Sequence, residues 1–248
     1  MTLIHSFEKS GNWLFRHRGE LPIVLFLLAV PVVYFTDTSW QPAHSTTVLT
    51  WVSIALSVKG FLIRSYSIGT TPKGTSGRNT RAGQIAESLN ITGIYSIVRH
   101  PLYLGNYLMW TGIVLFTFNF SFVVIVSLAF WLYYERIMFA EERFLERKFG
   151  QTYLDWSLTT PAFIPCYRSY VRSVVPFSLR SVLRREYSGM MATVTGFVFI
   201  DLLRQWFESG MVNWYSVSIY VFAVSLLITV ILRSLKHYTG VLSEKDRS

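Results

Sequence analysis

Charge is scarce in this chain. Only 15% of its 248 residues are Asp, Glu, Lys or Arg, where a soluble domain carries about 25%. Apolar residues take that share, at 51% of the chain, with 17% aromatic. Because they come in long blocks, lipid is the expected solvent and a soluble globular enzyme is excluded. Cysteine is nearly absent: the single Cys166 excludes an internal disulfide and a thiolate metal cluster, and no metal site is expected. A cleavable leader is not legible either. The first apolar block starts near Leu21, behind Lys9, Arg16 and Arg18, and lacks a small-residue cleavage site, so it reads as a retained span. Internal repeats and low-complexity tracts are missing, and no Gly-x-Gly-x-x-Gly fingerprint follows a predicted strand.

Six apolar blocks remain, at roughly 21–36, 46–68, 102–118, 120–140, 190–207 and 214–235. A span needs about 20 apolar residues, so the first, third and fifth must be short or tilted. Blocks three and four are parted only near Asn119, which predicts a tight antiparallel hairpin. The net charge is +9. Its carriers sit between apolar blocks, which points to a membrane surface and anionic headgroups and away from nucleic acid. The turns at 37–45, at Asn119 and at 208–213 hold no Lys or Arg, whereas the 69–100 loop holds Lys73, Arg78, Arg81 and Arg99 and the 141–189 segment is rich in arginine. Both termini and both long loops are therefore expected on the cytoplasmic side, in a bacterial inner membrane. The expected fold is an all-α polytopic transmembrane bundle of about six spans. A cytoplasmic helical extension follows the fourth span over 141–158, where Phe144, Leu145, Phe149, Tyr153 and Leu154 recur at helical spacing until Pro161 and Pro165 stop it. Residues 1–165 read as the core, and 166–248 as a basic interfacial segment at 168–185 plus two C-terminal spans.

Chemistry concentrates in two places. The first is Gly93-Ile94-Tyr95-Ser96-Ile97-Val98-Arg99-His100-Pro101-Leu102-Tyr103-Leu104-Gly105-Asn106. Pro101 suits a first helical turn, where a missing N–H costs nothing, and Gly105 allows close approach of a ligand or a neighbouring helix. The stretch reads equally as the mouth of a site or as an interfacial belt, where tyrosine and arginine are common. The second is Arg136 followed by Glu141-Glu142. Adjacent carboxylates beside apolar surface could hold a cation such as a sulfonium bearing an ammonium group. The plainer reading is a solvated helix start paired with Arg143 and Lys148.

Together these residues form an ordered pattern. Gly93, Tyr95, Arg99, His100, Pro101, Tyr103 and Gly105 precede a hydrophobic hairpin, and Glu141, Glu142, Leu145, Phe149, Gly150 and Tyr153 follow it. Over about 89–165 this resembles the isoprenylcysteine carboxyl methyltransferase and phospholipid methyltransferase superfamily. The resemblance does not reach the first span or the last two. It implies an S-adenosyl-L-methionine-dependent methyltransferase of the membrane type rather than of the soluble fold. It carries cofactor contacts onto Glu87, Ser88, Leu89 and Asn90, onto Tyr95, onto His100, Pro101, Leu102 and Tyr103, and onto Glu141. Arg99 and Arg136 become the catalytic arginines, with Arg136 handling the acceptor.

The acceptor is expected to be lipid-borne and anionic, because a guanidinium holds two oxygens at once and an anionic oxygen needs no general base. The loop 69–80 is glycine-rich, hydroxyl-rich and basic. It reads either as a flexible loop or, through Lys73 and Arg78, as a phosphate grip, which ranks a lipid phosphate headgroup first. A prenyl-type carboxylate and a phospholipid amine follow. A nicotinamide-dependent membrane reductase and a non-catalytic scaffold are the alternatives of other classes. Asp201 and Arg204, three apart in an apolar block, are expected to pair. Lys59 and Arg64 are expected to snorkel toward the cytoplasm.

Overall fold

The computed structural model describes residues 2–37, 42–75, 78–80, 83–244 and 247. Eight α-helices carry the fold among the described residues: α1 Leu3–Arg16, α2 Leu21–Phe35, α3 Ala43–Gly69, α4 Pro101–Leu115, α5 Phe120–Phe149, α6 Gln151–Thr159, α7 Leu179–Ser209 and α8 Val217–Tyr238. A two-stranded antiparallel hairpin, β1 Arg78–Thr80 and β2 Gly83–Ile85, interrupts the loop before α4. The architecture is the polytopic helical bundle expected from the apolar blocks.

Among the described residues three helices are long and apolar enough to cross a membrane: α3, α5 and α8, with mean hydropathy of 1.6, 1.6 and 2.1 over their best windows. Helix α2 is a shorter apolar helix. Helix α4 has 15 residues, about 22 Å at 1.5 Å per residue, short of the roughly 30 Å hydrocarbon core. Leu62, Leu128 and Leu227 are each about 60% exposed. Apolar surface on this scale is what a chain presents to lipid.

Local chemistry sets several boundaries. The Asn119 side chain accepts from Phe122 N–H at 2.9 Å and starts α5, and Ser178 does the same for Ser181 N–H at 3.1 Å, starting α7. The second cap moves a boundary. The expected interfacial segment 168–185 is irregular only to Ser178, and its last residues form the first turns of α7. The expected extension through 158 is also broken. Gly150, at φ +54, ends α5 and turns the chain into α6, a conformation that side chains other than glycine's resist.

Helices α3 and α4 cross most closely. A Cβ on Gly60 would lie 2.5 Å from Gly105 O and 2.8 Å from Met109 N, so the two backbones touch where both residues lack side chains. Ser57 Oγ donates to Met109 O at 2.8 Å across the same seam. Helix α1 lies along α5 with Gly11 against the backbone of Arg136. One apolar core joins Ala29 and Val33 of α2, Ile113 and Val114 of α4, Phe122 and Val126 of α5 and Ile200 of α7. Arg204 pairs with Asp201 at 3.7 Å, as expected, and also covers the Phe116 and Phe118 rings.

Candidate functional site

The site forms where α4 begins. Pro101 opens the helix, and the two residues before it find partners elsewhere. Arg99 N–H donates to Pro161 O at 2.9 Å and His100 N–H to Ala162 O at 3.2 Å, while Cys166 N–H reaches back to Ile97 O at 2.9 Å. The 161–166 segment thus clamps the arginine-histidine-proline turn at the mouth of α4, satisfying backbone donors that a helix start leaves open.

The clamp aims this turn at the carboxylates of α5. Tyr103 donates its hydroxyl to Glu141 Oε2 at 2.9 Å. His100 Nε2 lies 2.8 Å from Glu142 Oε1, and His100 Nδ1 lies 3.7 Å from Glu141 Oε2. Arg99 Nε approaches Glu142 Oε1 at 3.4 Å. His100 stacks on Tyr103 with ring centres 5.5 Å apart. His100 and Glu141 are 6% and 8% exposed, so these are buried partners and not a solvated helix start. Trp156 of α6 donates to Tyr95 O at 3.2 Å and closes one side. Burial pushes the Tyr95 hydroxyl up to about 12 and the Tyr153 hydroxyl higher still, so both stay neutral.

These groups wall a cavity of about 270 Å³. Tyr95, Arg99, His100, Pro101, Leu102, Tyr103 and Glu141 all line it. Other expected residues do not. Arg136 lies with its guanidinium 3.5 Å over the Phe7 ring and is not on the wall. It precedes Glu141 by five residues, and five steps of 100° place the two on opposite sides of α5. Glu87, Ser88, Leu89 and Asn90 are also off the wall. Glu87 N–H is held by Gly74 O at 2.7 Å, Glu87 and Ser88 are exposed, and Leu89 packs outside against Leu145 and Tyr153. Lys73 is exposed and off the wall. The backbone of Arg78 lies in β1; its side chain, and the loop residues Ser76 and Gly77, lie outside the described residues.

The wall also has members that the sequence reading did not assign. Arg64 of α3 does not snorkel: Nε and Nη2 grip Glu186 of α7 at 2.7 and 2.6 Å, and Nη1 reaches Asn106 Oδ1 at 2.6 Å. Arg18, Arg185 and Glu186 line the same cavity. Two signals were available. Arg64 is ionisable within an apolar block, and Glu186 is the sole acid between Asp155 and Asp201.

The donor set suits a ligand carrying both signs of charge and a flat ring. Carboxylates, arginines and the rings of Tyr95, Tyr103 and Trp156 share one wall. The buried Arg99 Nε and Tyr153 hydroxyl face Glu142 without completing a hydrogen bond of good geometry, so the wall holds polar atoms that a ligand would satisfy. Among the described residues no group of three or more His, Cys, Asp or Glu could hold a metal ion.

The chain is similar to several known proteins. A family model described as phospholipid methyltransferase matches residues 43–152. The nickel-cobalt-cadmium resistance protein of Alcaligenes xylosoxydans xylosoxydans is 34% identical over 159 residues, 62% of this chain and 67% of that one. A protein-S-isoprenylcysteine O-methyltransferase of Schizosaccharomyces pombe is 33% identical over 73 residues, 29% of this chain and 31% of that one. Another, of Dictyostelium discoideum, is 22% identical over 166 residues, 66% of this chain and 69% of that one. No solved structure matches the chain.

Proposed function

The chain belongs to the phospholipid methyltransferase family, within the membrane superfamily that includes the isoprenylcysteine methyltransferases, and on that premise we propose that it moves a methyl group from S-adenosyl-L-methionine to an anionic oxygen on a membrane lipid. When bound, the cofactor supplies a methyl carbon already activated by a positively charged sulfur. Tyr95, Arg99, His100, Tyr103 and Glu141 would hold it. Glu141 presents a buried carboxylate to positive charge, oriented by the Tyr103 hydroxyl at 2.9 Å. Glu142 fixes the His100 ring at 2.8 Å, and Phe15, Ile68 and Leu145 keep the wall apolar and exclude water. The protein's task is alignment more than proton transfer.

One observation carries the anionic acceptor. Four arginines reach the wall (Arg18, Arg64, Arg99, Arg185) against three carboxylates (Glu141, Glu142, Glu186), an excess of one positive charge. An anion gains from that excess, whereas an amine would have to enter against it and shed a proton first. Lys73 is off the wall, and the Arg78 side chain lies outside the described residues, so the choice between phosphate and carboxylate rests on the product. A lipid phosphate headgroup and a prenyl-type carboxylate are the two sources of such an oxygen. The arginine-bearing mouth is assigned to the cytoplasmic side by the charge asymmetry of the loops.

The product decides. Purified protein is incubated with radiolabelled S-adenosylmethionine and total membrane lipid, and the labelled lipid is treated with mild base. Release of the label as methanol identifies a carboxyl methyl ester, and a base-resistant label on phosphorus identifies a methyl phosphate. A label on nitrogen would overturn the reading.

A further inference from the structure

Arg64 and Glu186 are 122 residues apart in sequence and form a two-point ion pair on the cavity wall, with Glu186 only 2% exposed at its side chain. Glu186 stands on α7, beyond the 43–152 segment that defines the family. The pair does not end there. Arg64 continues to Asn106 of α4, Asn106 Nδ2 donates to the Tyr134 hydroxyl of α5 at 3.1 Å, and the Tyr134 ring lies 4.9 Å from the Tyr103 ring, whose hydroxyl holds Glu141. Four helices thus meet in one chain of contacts running from α7 to the carboxylate of α5.

A guanidinium has five N–H groups in a rigid plane. Glu186 and Asn106 take three of Arg64's, and two remain on a plane that cannot turn. We propose that Arg64 binds the anionic oxygen of the acceptor through these donors, and that Glu186 is the positioning residue that fixes its plane. This rests on the methyl-transfer reading above and deepens it: the C-terminal helix pair completes the acceptor side of the site. The carboxylate beside Arg64 neutralises that pair, so Arg64 contributes directed hydrogen bonds while the wall's remaining excess of one positive charge supplies the attraction. Such binding favours an oxygen with lone pairs in the guanidinium plane, as phosphate and carboxylate both have.

The test uses the full-length protein in lipid nanodiscs, with labelled S-adenosylmethionine as donor and a total membrane lipid extract as acceptor. Glu186→Gln keeps the shape and loses the charge; Arg64→Lys keeps the charge and loses the planar fork. Both are expected to bind S-adenosylmethionine within about threefold of wild type and to lose at least tenfold in kcat/KM for the extract. Retention of kcat/KM within twofold, or a loss explained by cofactor affinity alone, overturns the proposal. Should either single variant fail to fold, the reciprocal pair Arg64→Glu with Glu186→Arg restores the ion pair. It is expected to fold, bind cofactor and stay inactive, and recovered activity would show the pair to be merely structural. Wild-type protein that methylates an amine would instead fail the anionic-acceptor reading, and one that labels nothing in the extract would fail the methyl-transfer reading, in both cases before any variant is made.

Discussion

Glu141→Gln isolates one charge at the centre of the site. The substitution preserves shape and leaves an oxygen able to accept from Tyr103, whose hydroxyl lies 2.9 Å from Glu141 Oε2. The backbone should not move, because α5 runs through the position without interruption. What disappears is the negative charge offered to a cationic ligand. Charge-assisted hydrogen bonds contribute about 1.5–3 kcal/mol net. At about 1.4 kcal/mol per decade, the dissociation constant of S-adenosylmethionine should rise roughly tenfold to 150-fold. Equilibrium binding of labelled cofactor to purified protein measures this directly. Glu142→Gln is the comparator: its carboxylate is already engaged by His100 at 2.8 Å and Arg99 at 3.4 Å, so its loss should weaken cofactor binding less. S-adenosylhomocysteine, whose sulfur is neutral, refines the result. A larger penalty for S-adenosylmethionine than for S-adenosylhomocysteine places Glu141 near the sulfonium, and equal penalties place it near the ammonium. Unchanged affinity for both in Glu141→Gln would refute the assignment of this carboxylate to the cofactor.

Arg136→Ala should leave cofactor affinity and methyl transfer within about threefold, because the side chain covers Phe7 and not the cavity; the loss of that contact should cost about 0.5–2 kcal/mol of stability, read by thermal unfolding in detergent. Gly60→Ala drives a Cβ to 2.5 Å from Gly105 O and should cost about 1–3 kcal/mol by overpacking, whereas Gly19→Ala, with nothing within 4 Å, should stay within about 0.5 kcal/mol; equal effects would dismiss the close crossing of α3 and α4. For topology, the exposed native thiol of Cys166 should react with an impermeant reagent from the cytoplasmic face. A cysteine placed at Ser209 in a Cys166→Ser chain should react from the other face, and labelling of both from one side would reject the six-span arrangement.

Much of the fold was legible because its causes are local. Lipid-facing helices declare themselves in runs of apolar residues, and each of the six blocks became a helix. Asn119 marked the hairpin because a cap acts within three residues. The arginine-histidine-proline turn was legible as a unit because Pro101 fixes a helix start and His100 and Tyr103 then lie three residues apart, on one face. The pairing of Asp201 with Arg204 followed from the same spacing.

The composition of the cavity wall could not be read this way. Which arginines reach it depends on how each helix is rotated about its axis, and packing against partners distant in sequence sets that rotation. Arg136 and Glu141 sit five residues apart and part company because α1, through Gly11, claims the Arg136 face of α5. Arg64 would reach for water on an isolated helix. It turns inward because α7 brings Glu186 against it and the glycine crossing brings Asn106 close enough to bind. The solvent, the six apolar helices and the turn that bears the chemistry each follow from neighbours along the chain, whereas α1 and the break between α5 and α6 did not show in the apolar pattern. Which charges share the cavity depends on packing between elements distant in sequence, because a buried charge is costly without a partner against it and Arg64 finds its carboxylate on α7.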